Sequence, residues 1–340
     1  MRALVVTSPR RAAVQELDAP VPGAGQLLVD VERVGICGTD IELFSGEMAY
    51  IHQGRTHYPL RLGHEWTGRV AAVGPDTDES WIGSRIVGDT MLGCGTCAYC
   101  VAGTHWVCPF RFEVGVLDGW PGALAEQLLI PARFAHVVPE TVGVAAAAMV
   151  EPAGNSLRAV DAAALPYGGR ILVLGSGTIG LLAAQFALAR GWEVHIAGRR
   201  PSSLKLAAAL GVEHTLPMSE LLDEPVKRFD SVIDATSIDS SPSLAIRLVK
   251  SAGRIVLIGL SGAPSFIDTR DLALGDISAV GVLSASPGLV GAIEHFASGA
   301  VRPEPLVSET VGLDEVASRL AGYRGSDAGP GPKVHVDPRK

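Results

Sequence analysis

The segment Gly175-Ser176-Gly177-Thr178-Ile179-Gly180 follows the short apolar run Ile171 to Leu174 and opens the apolar stretch Ile179 to Arg190. A G-x-G-x-x-G pattern set between a strand and a helix constrains folding strongly. The first glycine permits a tight turn, the second lets a pyrophosphate approach the backbone, and the third lets helix and strand pack closely, while the helix N-terminus offers free N–H groups to an anion. Strand and helix patterns then alternate: Glu193 to Ala197, Ser202 to Leu210 with a Ser cap, Ser231 to Ala235, Ser243 to Lys250 and Arg254 to Ile258. This alternation predicts an α/β fold with a Rossmann-type, doubly wound parallel sheet. Gly175, Gly177, Thr178, Ile179 and Gly180 are the expected dinucleotide contacts.

The second strand pattern of this unit selects between nicotinamide cofactors. NAD-binding folds carry Asp or Glu about 20 residues beyond the glycines to bind the ribose diol. Here the strand ends in Gly198-Arg199-Arg200. Two guanidiniums suit a 2′-phosphate through charge-assisted, forked hydrogen bonds, so NADP is the expected cofactor, with NAD possible. Thr236, Ile258 and Ser284 follow later strand patterns and are expected on the cofactor side of the sheet; ordinary turn chemistry is the other reading of each.

The N-terminal part has a different grammar. Leu27 to Val34 alternates apolar and polar residues, Thr67 to Val73 forms another strand pattern, and Pro22, Gly23 and Gly25 punctuate the region. Four of the five cysteines, Cys94, Cys97, Cys100 and Cys108, stand as C-x2-C-x2-C-x7-C with Gly93, Gly95 and Gly103 between and beside them. Four thiolates at this spacing close a tetrahedral, structural zinc site; an iron–sulfur cluster is the alternative on ligand type alone. His105, inside the lobe, reads as a surface residue. The fifth cysteine lies in Gly35-Ile36-Cys37-Gly38-Thr39-Asp40, ahead of Gly63-His64-Glu65. Thiolate, imidazole and carboxylate are suitable zinc donors, although this spacing alone is a weak signal.

Gly63-His64-Glu65 continues to Gly74 as G-H-E-x2-G-x-V-x2-V-G. With Cys37-Gly38-Thr39-Asp40 before it and the four-cysteine lobe, Glu151-Pro152 and the glycine loop after it, the chain resembles the zinc-dependent medium-chain alcohol dehydrogenases along essentially its whole length. The resemblance is nearest to polyol, sugar, cyclitol and threonine dehydrogenases. It implies a β-rich GroES-like catalytic domain over 1–150, completed by 291–340, and a Rossmann domain over 151–290. It further implies a catalytic zinc on Cys37 and His64, with Glu65 and Glu151 as a third ligand and a water-linked or alternating ligand in an order left open; a simple helix N-terminal carboxylate is the other reading of Glu151. Together with the lobe this makes two zinc ions per chain. Thr39 matches the family's hydroxyl proton relay, whereas Glu42 stands where many relatives carry a relay histidine, so the proton exit must differ; Asp40 is expected to be structural. Zinc as a Lewis acid acidifies a substrate hydroxyl, and nicotinamide takes the hydride.

Composition narrows the partners. A net charge of −8 argues against a nucleic-acid track, and no apolar run reaches the ~18 residues of a membrane helix. Met1 to Ala13 has only a short apolar stretch before Arg10 and Arg11, so no signal peptide is expected and the cytoplasm is the expected compartment. The polar segment Phe44 to Arg61, with His52, Gln53, Arg55, His57 and Tyr58, is a candidate lining, with Trp66, Glu113 and Trp120, of a pocket for a small polyhydroxylated substrate; a surface or packing role is the other reading of each residue, and the one favoured for each taken singly. His136, His195, His214 and His335 read as structural. The family implies a homodimer or homotetramer. The expected activity is zinc- and NADP-dependent oxidation of a secondary alcohol of a polyol, sugar or cyclitol. The alternatives are a threonine-type amino-alcohol dehydrogenase and a non-catalytic dinucleotide-binding relative.

Overall fold

Strand periodicity in the N-terminal region translates directly into a sheet. In the computed structural model, which describes residues 1–222 and 225–340, the strand Gln26–Ile36 buries Leu27, Val29 and Val31 on one side while the intervening residues are half-buried. It is the hub of a seven-stranded sheet. Glu65–Val73 pairs antiparallel with it, Gln127–Pro131 pairs with its first half and Lys333–Val336 with its end; Val307–Val311, Arg85–Gly88 and Ala135–Val137 extend the edges. A hairpin, Arg2–Ser8 with Arg11–Glu16, and the short helix Gly38–Ser45 complete this unit around a core that includes Leu4, Val34, Leu43, Leu62, Ile86 and Leu128.

The second unit is a six-stranded, all-parallel sheet. Its order is His214–Pro217, Glu193–Gly198, Arg170–Leu174, Phe229–Asp234, Val249–Leu257, Ser278–Gly281, so the first strand of the chain segment lies centrally and the order reverses beside it. That is the doubly wound arrangement with a ligand crevice at the reversal. Continuous apolar runs such as Ile171 to Leu174 are fully buried because a parallel sheet is covered on both faces. The helix Thr178–Ala189 follows the glycine loop. The helix after the second strand is Pro201–Ala209, with Pro201 in its first turn and Arg200 at the N-cap. The expected Ser cap at 202 is therefore displaced by a proline that needs no N–H partner there.

The compact units are Met1–Glu151 with Val307–Gly329 and Lys333–Lys340, and Pro152–Leu306 with Pro330–Pro332. The chain thus returns to the first unit at Val307, later than the expected residue 291. The helix Leu289–Ala297 accounts for the difference. Its His295 ring meets Phe186 edge-on, its entry at Gly288 abuts the backbone of Gly154, and Arg302 beyond it donates its N–H to Gln185 at 2.9 Å, all within the nucleotide-type unit.

Candidate active site and nucleotide site

Cys37 follows the hub strand and caps the helix Gly38–Ser45, while Glu65 begins the neighbouring antiparallel strand and His64 immediately precedes it. Register sets Gly35 directly opposite Glu65. A Cβ at Gly35 would overlap the Glu65 carboxylate, so only glycine leaves the space in which that side chain lies. One donor atom each from Cys37, His64 and Glu65 falls within a 4.8 Å group. A soft thiolate, an imidazole and a carboxylate at that separation fit zinc.

Two buried charges behind these donors hold them in place. Asp40 is fully buried; its Oδ2 accepts the Cys37 N–H at 2.8 Å, and its Oδ1 accepts the Gly63 N–H at 3.2 Å and lies 3.4 Å from His64 Nδ1. Burial alone would push the Asp40 carboxyl up, but His64 and the two N–H donors outweigh it and hold it below the usual range. Burial likewise opposes charge on His64, and Asp40 outweighs it, raising the imidazole well above its ordinary value. A carboxylate behind a metal-binding imidazole fixes its ring orientation. Lys333, 3% exposed, donates through Nζ to both Glu65 oxygens at 2.8 and 2.5 Å and to the Ile36 carbonyl at 3.1 Å. Its burial favours losing the proton, yet Glu65 and then Cys37 hold the ammonium above its usual range. Sequence reasoning missed Lys333; its signal was a cation opening the strand pattern Lys333–Val336, ahead of Val334 and Val336. It also undervalued Asp40, which joins helix, thiolate strand and imidazole at once.

Thr39 is half-buried in the first turn of the same helix, and Glu42, one turn further, is raised by burial and by Glu47. Glu151 is half-buried in the first turn of the helix Val150–Ala163 and lies outside the three-donor group. The expected pocket loop is divided. Tyr50 OH and Arg111 both donate to Glu113, Arg55 pairs with Asp118 at 2.9 Å, Tyr58 OH donates to the Leu43 carbonyl, and Trp66 is buried against Gly88. His52 and Gln53 are exposed. His57 and Trp120 border a separate cavity.

The cysteine lobe closes on itself. All four sulfurs lie within 4.8 Å of one another, with Cys94–Cys100 at 3.9 Å and Cys97–Cys108 at 3.6 Å. Zn–S bonds of about 2.3 Å in a tetrahedron require sulfur separations near 3.8 Å, so the cage fits zinc. The Thr96 N–H and hydroxyl hold the Cys94 thiol down to about 6, whereas burial pushes Cys100 up to about 12. A central cation is what would allow four thiolates so close together. A Cβ at Gly93 would crowd the Cys100 sulfur. His105 is tied into the fold by a 2.7 Å contact of Nε2 with Asp89, which corrects its reading as a surface residue.

In the second unit the glycine roles separate. Gly175 has φ +105°, a Cβ at Gly180 would overlap the Gly175 carbonyl oxygen, and Gly177 has open space where its Cβ would stand. Thr178 and Ile179 begin the helix there. A Cβ at Gly198 would meet Ser176, which brings the end of the second strand, with exposed Arg199 and Arg200, against the glycine loop. Thr236 is fixed by Asp234 and Ser241, Ile258 follows the next strand, and Ser284, at φ +76°, shares a hydrogen bond with Ser286. Elsewhere in this unit Glu193, His195 and His214 converge at the opposite, N-terminal ends of adjacent strands, with the two imidazoles stacked.

These two constellations on these two folds define a zinc-type oxidoreductase with a nicotinamide crevice. The chain matches the alcohol dehydrogenase GroES-like domain over residues 23–140 and the zinc-binding dehydrogenase domain over residues 178–298. It is 33% identical to an L-threonine 3-dehydrogenase of Saccharopolyspora erythraea, over 83% of each chain. It is 29% identical to a sorbitol dehydrogenase of Halalkalibacterium halodurans, over 84% of this chain and 85% of that one. A structure described as a zinc-binding dehydrogenase from Sinorhizobium meliloti, bound to NADP, superposes with a TM-score of 0.90 at 29% identity over 99% of both chains. The protein belongs to the zinc-dependent medium-chain alcohol dehydrogenase family and is an oxidoreductase. Among the described residues no helix is long and apolar enough to cross a membrane.

Proposed function

We propose that the protein transfers hydride between a secondary alcohol of a polyol, sugar or cyclitol and NADP, with two zinc ions per chain. The observation that carries the proposal is the convergence of Cys37, His64 and Glu65 donors in front of buried Asp40 and Lys333. Zinc on Cys37, His64 and a carboxylate would supply Lewis-acid polarisation of the substrate oxygen, and NADP would supply the hydride acceptor. The chain's own groups do the rest. Asp40 orients His64, Lys333 balances Glu65, and the Thr39 hydroxyl passes the alcohol proton towards solvent, with Glu42 one turn along the same helix as its next acceptor. Glu151 is assigned as the carboxylate that exchanges with Glu65. In the second unit Gly175, Gly177 and the helix start at Thr178 and Ile179 bind pyrophosphate, Gly180 lets that helix approach the strand, and Arg199 and Arg200 take the 2′-phosphate. Thr236, Ile258 and Ser284 border the remainder of the cofactor.

The sorbitol dehydrogenase likeness supports a polyol substrate. The threonine dehydrogenase likeness supports a second reading, an amino-alcohol substrate. We further assign a cytoplasmic homodimer or homotetramer, the assembly that the family likeness implies. The test is turnover of zinc-loaded protein with NADP or NAD across polyols, sugars, cyclitols, sugar acids, threonine and simple alcohols, followed by nicotinamide absorbance. Polyol turnover with NADP is expected. Arg199→Asp should lower the NADP/NAD ratio of kcat/KM by about 10- to 100-fold, the loss of one or two charge-assisted hydrogen bonds. Turnover of threonine alone would move the substrate assignment to the second reading, and an unchanged ratio in the variant would overturn the cofactor assignment.

A further inference from the structure

The zinc-site unit contains a second concavity. A cavity of about 430 Å³ opens between the strand Arg2–Ser8 and the segments around Leu60 and Trp120; Val5, Leu60, Val116 and Trp120 give it apolar walls, and none of Cys37, His64 and Glu65 borders it. That volume is in the range of small-ligand sites, ~300–1,000 Å³. Some of the polar groups on its walls are engaged within the protein. Thr56 Oγ1 donates to the Val116 carbonyl at 2.7 Å, and Trp120 Nε1 to the Leu129 carbonyl at 3.2 Å, which leaves the indole ring as an apolar surface.

Arg61, the guanidinium of the lining, is not engaged. Mutual backbone hydrogen bonds between Leu60 and Val6, both 2.9 Å, fix the chain direction there; Leu62 enters the core, and Arg61, one residue earlier, faces the cavity. Its Nε is buried without a hydrogen-bond partner, and among the described residues its guanidinium makes no ion pair. Nearby Arg55 and Arg111 each have a carboxylate. No carboxylate borders the cavity. Burial lowers the Arg61 guanidinium to about 10, so it stays charged at neutral pH. A half-buried charge with no protein partner is poorly compensated, and a guanidinium cannot escape the cost by losing its proton. An anion in the cavity would offset it with forked, charge-assisted hydrogen bonds.

We propose that this cavity is a second ligand site that takes a small organic carboxylate with an apolar body, the carboxylate on Arg61 and the body on Leu60, Val116 and Trp120. The apolar walls separate this ligand from the polyhydroxylated substrate.

The test is calorimetric titration of zinc-loaded, NADP-saturated protein with benzoate, phenylacetate and hexanoate, each beside its primary amide, and with gluconate and inorganic phosphate. One carboxylate site per chain is expected, with the amides, gluconate and phosphate at least about 10-fold weaker, the scale of one lost charge-assisted bond. Arg61→Met should weaken the carboxylates by at least the same factor while raising Tm, because the uncompensated charge is gone. Gln15→Trp, which fills the cavity from the hairpin and keeps Arg61, should also block them. Cys37→Ser should leave their binding intact. The proposal is overturned if no carboxylate of the panel binds, if affinity survives Arg61→Met, if Cys37→Ser abolishes it, or if phosphate or gluconate binds as tightly as benzoate.

Discussion

Single glycines carry separable duties in the nucleotide loop. Gly180 is a packing residue: a methyl there would strike the Gly175 carbonyl oxygen, so Gly180→Ala should destabilise the unit by about 1–3 kcal/mol, the cost of overpacking, as well as impair cofactor binding. Gly177 has open space around its missing side chain. Gly177→Ala should therefore keep its unfolding midpoint in urea while dinucleotide affinity, followed by fluorescence titration, falls; equal losses of stability in both variants would contradict the division. Gly35 belongs with them, since its missing Cβ accommodates the Glu65 carboxylate. The duties of Gly177 and Gly180 were legible in the loop pattern, whereas that of Gly35 was not, because the carboxylate it avoids comes from the neighbouring strand.

At the scale of elements, three neighbouring strands assemble the metal-type site. The strand Lys333–Val336 returns from the far end of the chain to pair with the hub strand and sets Lys333 on Glu65. Breaking one side of such a buried pair leaves an uncompensated charge, so Lys333→Met should cost the chelator-treated protein about 3–5 kcal/mol in urea unfolding, and the added change Glu65→Leu should recover much of it. The same strand holds His335, fully buried with both ring nitrogens unpartnered. Burial, then Lys333 and Arg33, push its imidazole down to about 3. An unfolded histidine titrates near 6.5, so below that pH the unfolded state binds a proton that the folded state refuses. The stability contribution is present above ~6.5 and is lost as pH falls towards about 3, on the order of 2 kcal/mol by pH 5. His335→Leu should flatten this acid limb; an unchanged difference between pH 7 and pH 5 would contradict the assignment.

For the whole molecule, two independent cages predict metal stoichiometry. Elemental analysis of the purified protein should give two zinc ions per chain, one after Cys97→Ser, one after Cys37→Ser and none in the double variant. Loss of the lobe's ion should destabilise the first unit. Loss of the other should abolish turnover with the fold retained, because Asp40 and Lys333 still pair with the remaining donors. A single zinc ion in the unaltered protein would remove one of the two assignments.

The amino-acid sequence by itself determined the features whose atoms are close along the chain. The glycine loop between strand and helix, the four-cysteine lobe and the alternating parallel unit are short-range patterns, and backbone sterics and ligand spacing leave them few alternatives. Cys37 and His64 became a site only through resemblance, since their own spacing is uninformative until the two strands pair. Tertiary structure decided the rest. It returned the tail at Val307 because the helix before that point is held against Phe186, divided the polar loop among Glu113, Asp118 and the cavity wall, and put Lys333 behind Glu65. In each case the deciding contact joins residues far apart in sequence, and burial makes it strong by removing the water that would otherwise compete for the same charges and hydrogen bonds.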